Sequence, residues 1–291
     1  YALTFRGETL SMDALQKPYE EKLQSVFPYL TPSKDEQVPV YRATGKPVHA
    51  PRRIAQPRVL IPVFPGTNCE YDTARAFERA GAKPEILVVR NRTAQDIEES
   101  IAAFVKLAQD AQIIALPGGF SGGDEPEGSA KFITSFLRSP QCTDAVHELL
   151  QARDGLMLGI CNGFQALIKL GLVPFGRIVE TDASCPTLTF NAIGRHQSML
   201  VRTRVASNKS PWLMHMNVGD IHTVAISHGE GRFVASEKML AQLSENGQIA
   251  TQYVDLDGQP TLDVRFNPNL SADAIEGITS HYCLFLCYMS Q

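Results

Sequence analysis

The sequence predicts an α/β fold: a mostly parallel sheet with helices on both faces, followed by additional β-rich segments in the second half. Three observations carry this expectation. Short apolar runs at 59–64, 85–89, 112–116 and 156–160 alternate with stretches of helical periodicity. Turn-rich segments at 65–70, 117–125 and 159–165 follow three of those runs, at the carboxyl ends of strands, where open α/β sheets place their sites. Past Gly171 the runs at 188–193, 199–205, 223–227 and 249–255 read as strands.

Composition narrows the function classes. At 291 residues the chain can bury a large core and is long for one domain. Hydrophobic content of 44% and charged content of 20% are those of an ordinary globular protein. A net charge of −4 gives no electrostatic case for nucleic acid or an anionic membrane. No apolar run approaches the roughly 20 residues that cross a bilayer, and Tyr1–Arg6 does not read as a signal peptide. Six cysteines (69, 142, 161, 185, 283 and 287) show no zinc-ligand spacing. They read as reduced thiols of a cytoplasmic protein, with no metal site.

Residues 1–30 read as the end of something larger. Tyr1–Phe5 is expected as a strand, 6–8 as a turn, and Ser11 as the N-cap of a helix to about Val26, a piece too small for its own core. Residues 31–57, with Pro32, Pro39, Pro47, Pro51 and Pro57, have linker composition, and both an extended segment and a disordered tail stay open. The main domain starts near Arg58. Its expected strands are Val59–Phe64, Glu85–Val89, Gln112–Leu116 and Leu156–Ile160. Between them lie helices to about Ala80, from a Thr93 cap to about Gln109, and over Lys131–Arg138 and Thr143–Ala152. Later, Glu237–Leu243 reads as a short helix and 267–277, rich in Asn and Pro, as a loop.

Three segments carry chemistry. The first is GLMLGICNGFQALIKLG at 155–171: an apolar run, a glycine-flanked Cys161, then Phe164, Leu167, Ile168 and Leu170 at helical spacing. This is the nucleophile-elbow pattern with sulfur in place of a serine oxygen. The helix that follows turns its N-terminal amides toward the thiol and favours thiolate, and the Asn162 amide is placed to donate to an oxyanion. A small buried hydrophobe at a strand–helix junction is the plainer reading. The second is the glycine loop Pro117–Glu125, which lacks the Gly-Lys-Ser/Thr of a phosphate loop. It is either a flexible turn or the second half of an oxyanion hole. The third is Ser227–Phe233, in which a His, an acid and an Arg sit among glycines, either as a binding loop or as turn chemistry.

Together FPGTNCE (64–70), PGGFSGGDE (117–125), GICNGFQALIKLG (159–171), GRHQS (194–198), SHGEGRF (227–233) and IEGITS (275–280) make the stretch 58–280 resemble the class I glutamine amidotransferase domain of phosphoribosylformylglycinamidine synthases, in their fused large form. The resemblance implies a flavodoxin-like amidotransferase fold and hydrolysis of glutamine to glutamate and ammonia. The ammonia would pass to a synthetase domain of the same parent protein, where ATP and Mg²⁺ act; no cofactor is implied within this chain. It implies Cys161 as the nucleophile that forms a glutamyl thioester, and the amides of Asn162 and Gly119 as the oxyanion hole. Gln165, Phe120 and Ser121 are implied as contacts of bound glutamine. Residues 1–30 resemble the last piece of the preceding synthetase domain.

Such amidotransferases complete a triad with a late His-x-Glu, whereas here Ser280 is followed by HYCLFLCYMSQ (281–291), which matches nothing in the family and reads as an aberrant or truncated end. The expectation is a domain that binds glutamine poorly or turns it over very slowly. His228 and Glu230 have His-x-Glu spacing and are candidates for a substitute base and acid, with His281 behind them. Competing readings are a catalytically silent domain with a binding or structural role, and a cysteine hydrolase or chaperone of related fold. The tail, with Cys283 and Cys287, is either a strand packed on the domain or non-native sequence.

Overall fold

The computed structural model describes residues 2–23, 37–46, 54–120, 129–281 and 285–288. A nine-stranded sheet runs through the domain. Its parallel part comprises β3 (Arg58–Val63), β4 (Lys83–Val88), β5 (Ile113–Leu116) and β6 (Leu156–Ile160). Between these strands run α2 (Glu70–Arg79), α3 (Ala94–Asp110), α4 (Lys131–Leu137) and α5 (Pro140–His147), the last continuing as a π-turn over Glu148–Ala152. Helix α6 (Asn162–Lys169) follows β6 directly. The order β4-β3-β5-β6 places a topological switch at β3 and β5, since the chain leaves β3 to one side and returns to its other side.

Burial on two faces follows the two-residue period of a strand. Leu60, Ile114, Leu116 and Met157 enter the larger core with Phe104, Phe136 and Phe164. Their neighbours Val59, Ile61 and Ala115 enter a second core with Ala74 of α2. Local capping fixes the helices that cover these faces. Thr93 Oγ1 accepts from the Asp96 amide at 3.0 Å, as the sequence leads one to expect.

The second half is antiparallel. β8 (Gln197–Val205), β9 (Ile221–His228), β11 (Ile249–Tyr253) and β12 (Ile275–Thr279) extend the same sheet. A small ladder joins β7 (Thr187–Thr189) to β10 (Arg232–Val234), and α8 (Glu237–Asn246) starts at a Ser236 cap. Two expectations change here. The run 188–193 is strand only to Thr189, because the Asn191 side chain turns the chain by donating to the Arg195 and His228 carbonyls. Ile275–Thr279 is a buried strand, not loop; Glu276 is tolerated inside it because its Oε2 accepts from Thr251 Oγ1 at 2.6 Å.

The tail contributes β13 (Phe285–Tyr288), which lies between β6 and β12, parallel to the first and antiparallel to the second. Residues 37–46, expected as linker, run as a strap over the antiparallel half. The Tyr41 amide donates to Gln252 Oε1, its hydroxyl donates to Asp273 Oδ2 at 2.5 Å, and Ala43 bridges to Ser207. The N-terminal piece forms the hairpin β1 (Ala2–Phe5) and β2 (Glu8–Ser11) and helix α1 (Met12–Glu21). It leaves Leu3, Phe5, Leu10, Met12 and Leu15 exposed.

Phe104 is fully buried and packs edge-on against Phe136, 5.7 Å between ring centroids. Phe104→Ala is expected to cost about 3–5 kcal/mol. Denaturant unfolding of the two proteins checks it through an earlier midpoint, and an unchanged midpoint would contradict the packing described.

Candidate active site

Cys161 sits where β6 gives way to α6 and is 4% exposed. Its backbone is held at φ 51, ψ −105, a conformation that non-glycine residues rarely adopt and that costs about 1–3 kcal/mol. The neighbouring glycine explains how the elbow fits. A Cβ on Gly163 would lie 2.1 Å from the Leu116 carbonyl oxygen, so the first turn of α6 rests directly on the end of β5. The helix begins with the Gln165 amide donating to the Cys161 carbonyl at 3.0 Å. The Cys161 thiol is 3.9 Å from the Ser227 carbonyl oxygen, which accepts from it.

The other segments converge on the same edge. Leu116 pairs with Gly159, so the chain leaves β5 and β6 side by side, and Gly119 follows three residues after Leu116. Gly119 has φ 145, and a Cβ there would stand 2.5 Å from the Gly66 carbonyl. The loop after β3 therefore clamps it, through the Thr67–Gly119 bridge and a Phe120 amide that donates to Gly66 O at 2.8 Å. Phe120 is 41% exposed and its ring lies 6.2 Å from that of His196. A His196 Nε2–Ser227 Oγ hydrogen bond of 2.9 Å joins this rim to β9. Ser121 lies outside the described residues.

The loop 227–233 closes the site from the antiparallel half. Gln165, 3% exposed, has both polar atoms engaged: Oε1 accepts from Asn162 Nδ2 and Nε2 donates to the Glu230 carbonyl, each at 2.9 Å. The Glu230 carboxylate accepts through Oε2 from the Ser129 amide and hydroxyl, with Lys169 Nζ 3.9 Å away. The His228 ring lies against Gly231. It is 1% exposed, and neither of its nitrogens has a hydrogen-bond partner among the described residues. Burial, with a smaller push from His196, lowers its pKa to about 4, so the ring is neutral at pH 7. His228 and Glu230 thus share a loop without forming a Cys–His–Glu relay: the carboxylate is turned to Ser129 and Lys169.

His281 is elsewhere. It precedes β13 at the amino ends of the parallel strands and lines a cavity of about 1300 Å³ with Asp154, Arg177 and Lys209, at the opposite end of the sheet from Cys161. Among the described residues no cluster of His, Cys, Asp or Glu could hold a metal ion, and no helix is long and apolar enough to cross a membrane. Sequence reasoning missed Ser129, which lies in no motif, and Lys169, which stands in the 159–171 motif but reads there as having no role; both reach the site through the fold.

A parallel sheet continued by antiparallel strands, with a strained cysteine between strand and helix at its carboxyl edge, defines a class I glutamine amidotransferase-like domain. Residues 56–291 match the CobB/CobQ-like glutamine amidotransferase domain, and the chain belongs to that family. Among its relatives is the phosphoribosylformylglycinamidine synthase subunit PurQ of Methanococcus maripaludis (strain C7), 36% identical over 225 residues that cover 76% of each chain. The PurQ subunit of Treponema denticola is 36% identical over 236 residues, covering 77% of this chain and 82% of that one. A chain of the PurLQS structure from Thermotoga maritima shares the fold, with a TM-score of 0.57 at 24% identity, covering 81% of this chain and 87% of that one.

The burial of His228 has a pH signature. Its folded pKa, about 4, lies below the usual 6.5, so below pH 6.5 the unfolded chain binds a proton that the folded chain refuses. The stability this represents is fully present above pH 6.5 and is lost as pH falls toward 4, roughly 3 kcal/mol in all. Unfolding free energies at pH 7 and pH 4.5 are expected to fall less steeply in His228→Gln than in the parent; equal slopes would contradict a buried neutral ring.

Proposed function

We propose that the chain is a glutaminase domain of a phosphoribosylformylglycinamidine synthase, hydrolysing glutamine and delivering ammonia to an ATP- and Mg²⁺-dependent synthetase partner in purine biosynthesis. The observation that carries it is the strained Cys161 elbow at the sheet's carboxyl edge, in a chain 36% identical to PurQ subunits over most of its length. In this reading the Cys161 sulfur attacks the side-chain amide carbon of glutamine and forms the S–C bond. The amides of Asn162 and Gly119 hold the negative oxygen of the tetrahedral intermediate. The C–N bond then breaks, ammonia leaves with the proton, and water releases glutamate from the thioester. In this reading Phe120 and Ser121 contact the bound glutamine. Gln165 has its polar atoms taken by Asn162 and Glu230 and braces the elbow from within.

The proton needs an acceptor. His228 is neutral and close in the chain to Ser227, whose carbonyl meets the thiol, so it is the first candidate base among the described residues. The second reading, a silent amidotransferase-like domain, is favoured by one observation: the His228 ring makes no hydrogen bond to any described residue.

Glutamate release separates the two. Slow release is expected from the chain, falling by about 10³-fold or more in Cys161→Ala and by about tenfold or more in His228→Gln if that ring takes the proton. A rate unchanged in Cys161→Ala would sink the glutaminase reading, and no release above that control would support the silent domain.

A further inference from the structure

We propose that Glu230, clamped by Ser129 and Lys169, is a positioning residue that fixes the cysteine elbow through Gln165 and Asn162. The proposal rests on the reading of Cys161 as a nucleophile.

The argument starts from the backbone of Cys161. A residue at φ 51, ψ −105 stays there only where its surroundings over-determine it. On the β6 side this is done by the ladder to β5, up to Gly159. On the α6 side the first turn is held by side chains. Asn162 Nδ2 donates to Gln165 Oε1 and Gln165 Nε2 donates to the Glu230 carbonyl, both at 2.9 Å and both buried. The Gln165–Glu230 bond spans 65 residues of sequence, so it adds to the packing of Gly163 on β5 a restraint that depends on the loop carrying Glu230.

Asn191, Asn269 and Ser271 hold that loop at His228, Gly229 and Gly231, and at Glu230 its own carboxylate adds an anchor on the side facing α6. Glu230 is 2% exposed, accepts from the Ser129 amide at 3.3 Å and hydroxyl at 2.9 Å, and has Lys169 Nζ 3.9 Å away. Lys169 also donates to the Ser129 carbonyl at 2.6 Å and closes the arrangement from the last residue of α6. The circuit therefore begins and ends on one helix: Asn162 at its start, Lys169 at its end, Gln165 between them. A buried carboxylate with a partner on one oxygen only, Oε1 having none among the described residues, is a costly way to brace a loop by packing alone. It fits a role in which the position of the loop backbone matters. The consequence is that the α6 N-terminus is held in line with the thiol, where its amides and dipole favour thiolate.

The test is alkylation of Cys161 by iodoacetamide in the full chain. It is read by mass spectrometry on the Cys161 peptide across pH, with melting temperature followed in parallel. Gln165→Met and Glu230→Gln are each expected to slow the Cys161 reaction about tenfold at pH 7 and to move the midpoint of its pH profile upward, with Glu230→Asp recovering part of the rate. Wild-type rates and pH profiles in both Gln165→Met and Glu230→Gln would overturn the proposal. So would a change at Cys161 matched by an equal change at buried Cys142, which would mark general loosening. If Glu230→Gln does not fold, Gln165→Met, which touches no charge, gives the answer. The assay needs no turnover, so a relay without glutamate release would count against the proposed function alone, and release with an unaffected thiol would count against the relay alone.

Discussion

The local structure of the site depends on one strained residue. Cys161 turns the chain from strand to helix in a conformation that the polypeptide does not choose by itself. Everything adjacent is arranged around that turn. Gly163 lets α6 touch the end of β5, Gly119 lets the next loop approach from β3, and the end of β9 supplies a carbonyl to the thiol. α6 is buried from Asn162 through Ile168, so the helix has no solvent face on which to relax. Close packing converts a local torsional cost into a fixed thiol position.

The two halves of the sheet do different work. The parallel half sets out three loop ends in register, a direct result of its β4-β3-β5-β6 order. The antiparallel half brings one loop back over them, and that loop is built from polar residues buried against each other. Asn191 accepts from the Gly231 amide through Oδ1. Asn269 and Ser271 donate to the Gly231 carbonyl, and Asn269 also donates to the Tyr253 hydroxyl. Buried amides of this kind cost free energy unless paired, and when paired they specify one arrangement.

The parts legible in the sequence were those written in short-range pattern. The alternation of apolar runs with helical spacing gave the parallel strands to within one or two residues, and Leu156–Ile160 with Cys161 and the helix behind it stands where the glycines and Leu167, Ile168 and Leu170 put it. What could not be read depends on partners far along the chain. Ile275–Thr279 hides its strand character behind Glu276 and Gly277, and the Thr251 hydroxyl that donates to that acid lies 25 residues away in sequence. The stretch after Thr189 looks extended until Asn191 finds the His228 carbonyl. Gln165 invites a ligand-binding role by type and place, yet its amide is spent within the protein, and Lys169 passes for an ordinary surface lysine at a helix end.

The position of β13 bears on how the molecule assembles. Its four residues are the seam of the sheet, with four parallel strands on one side and four antiparallel strands on the other. Among the described residues the strands of the two sides pair only through it. Phe285 meets Met157 across a long stretch of chain, so this ladder closes a large loop and its entropy must be met before the contact rewards it. Each half can form its own ladders beforehand from strands nearer in sequence. The two halves therefore meet twice, once along this short strand and once through a shared core in which Ile249, Ile275 and Ile278 pack with Leu60, Phe104 and Phe164.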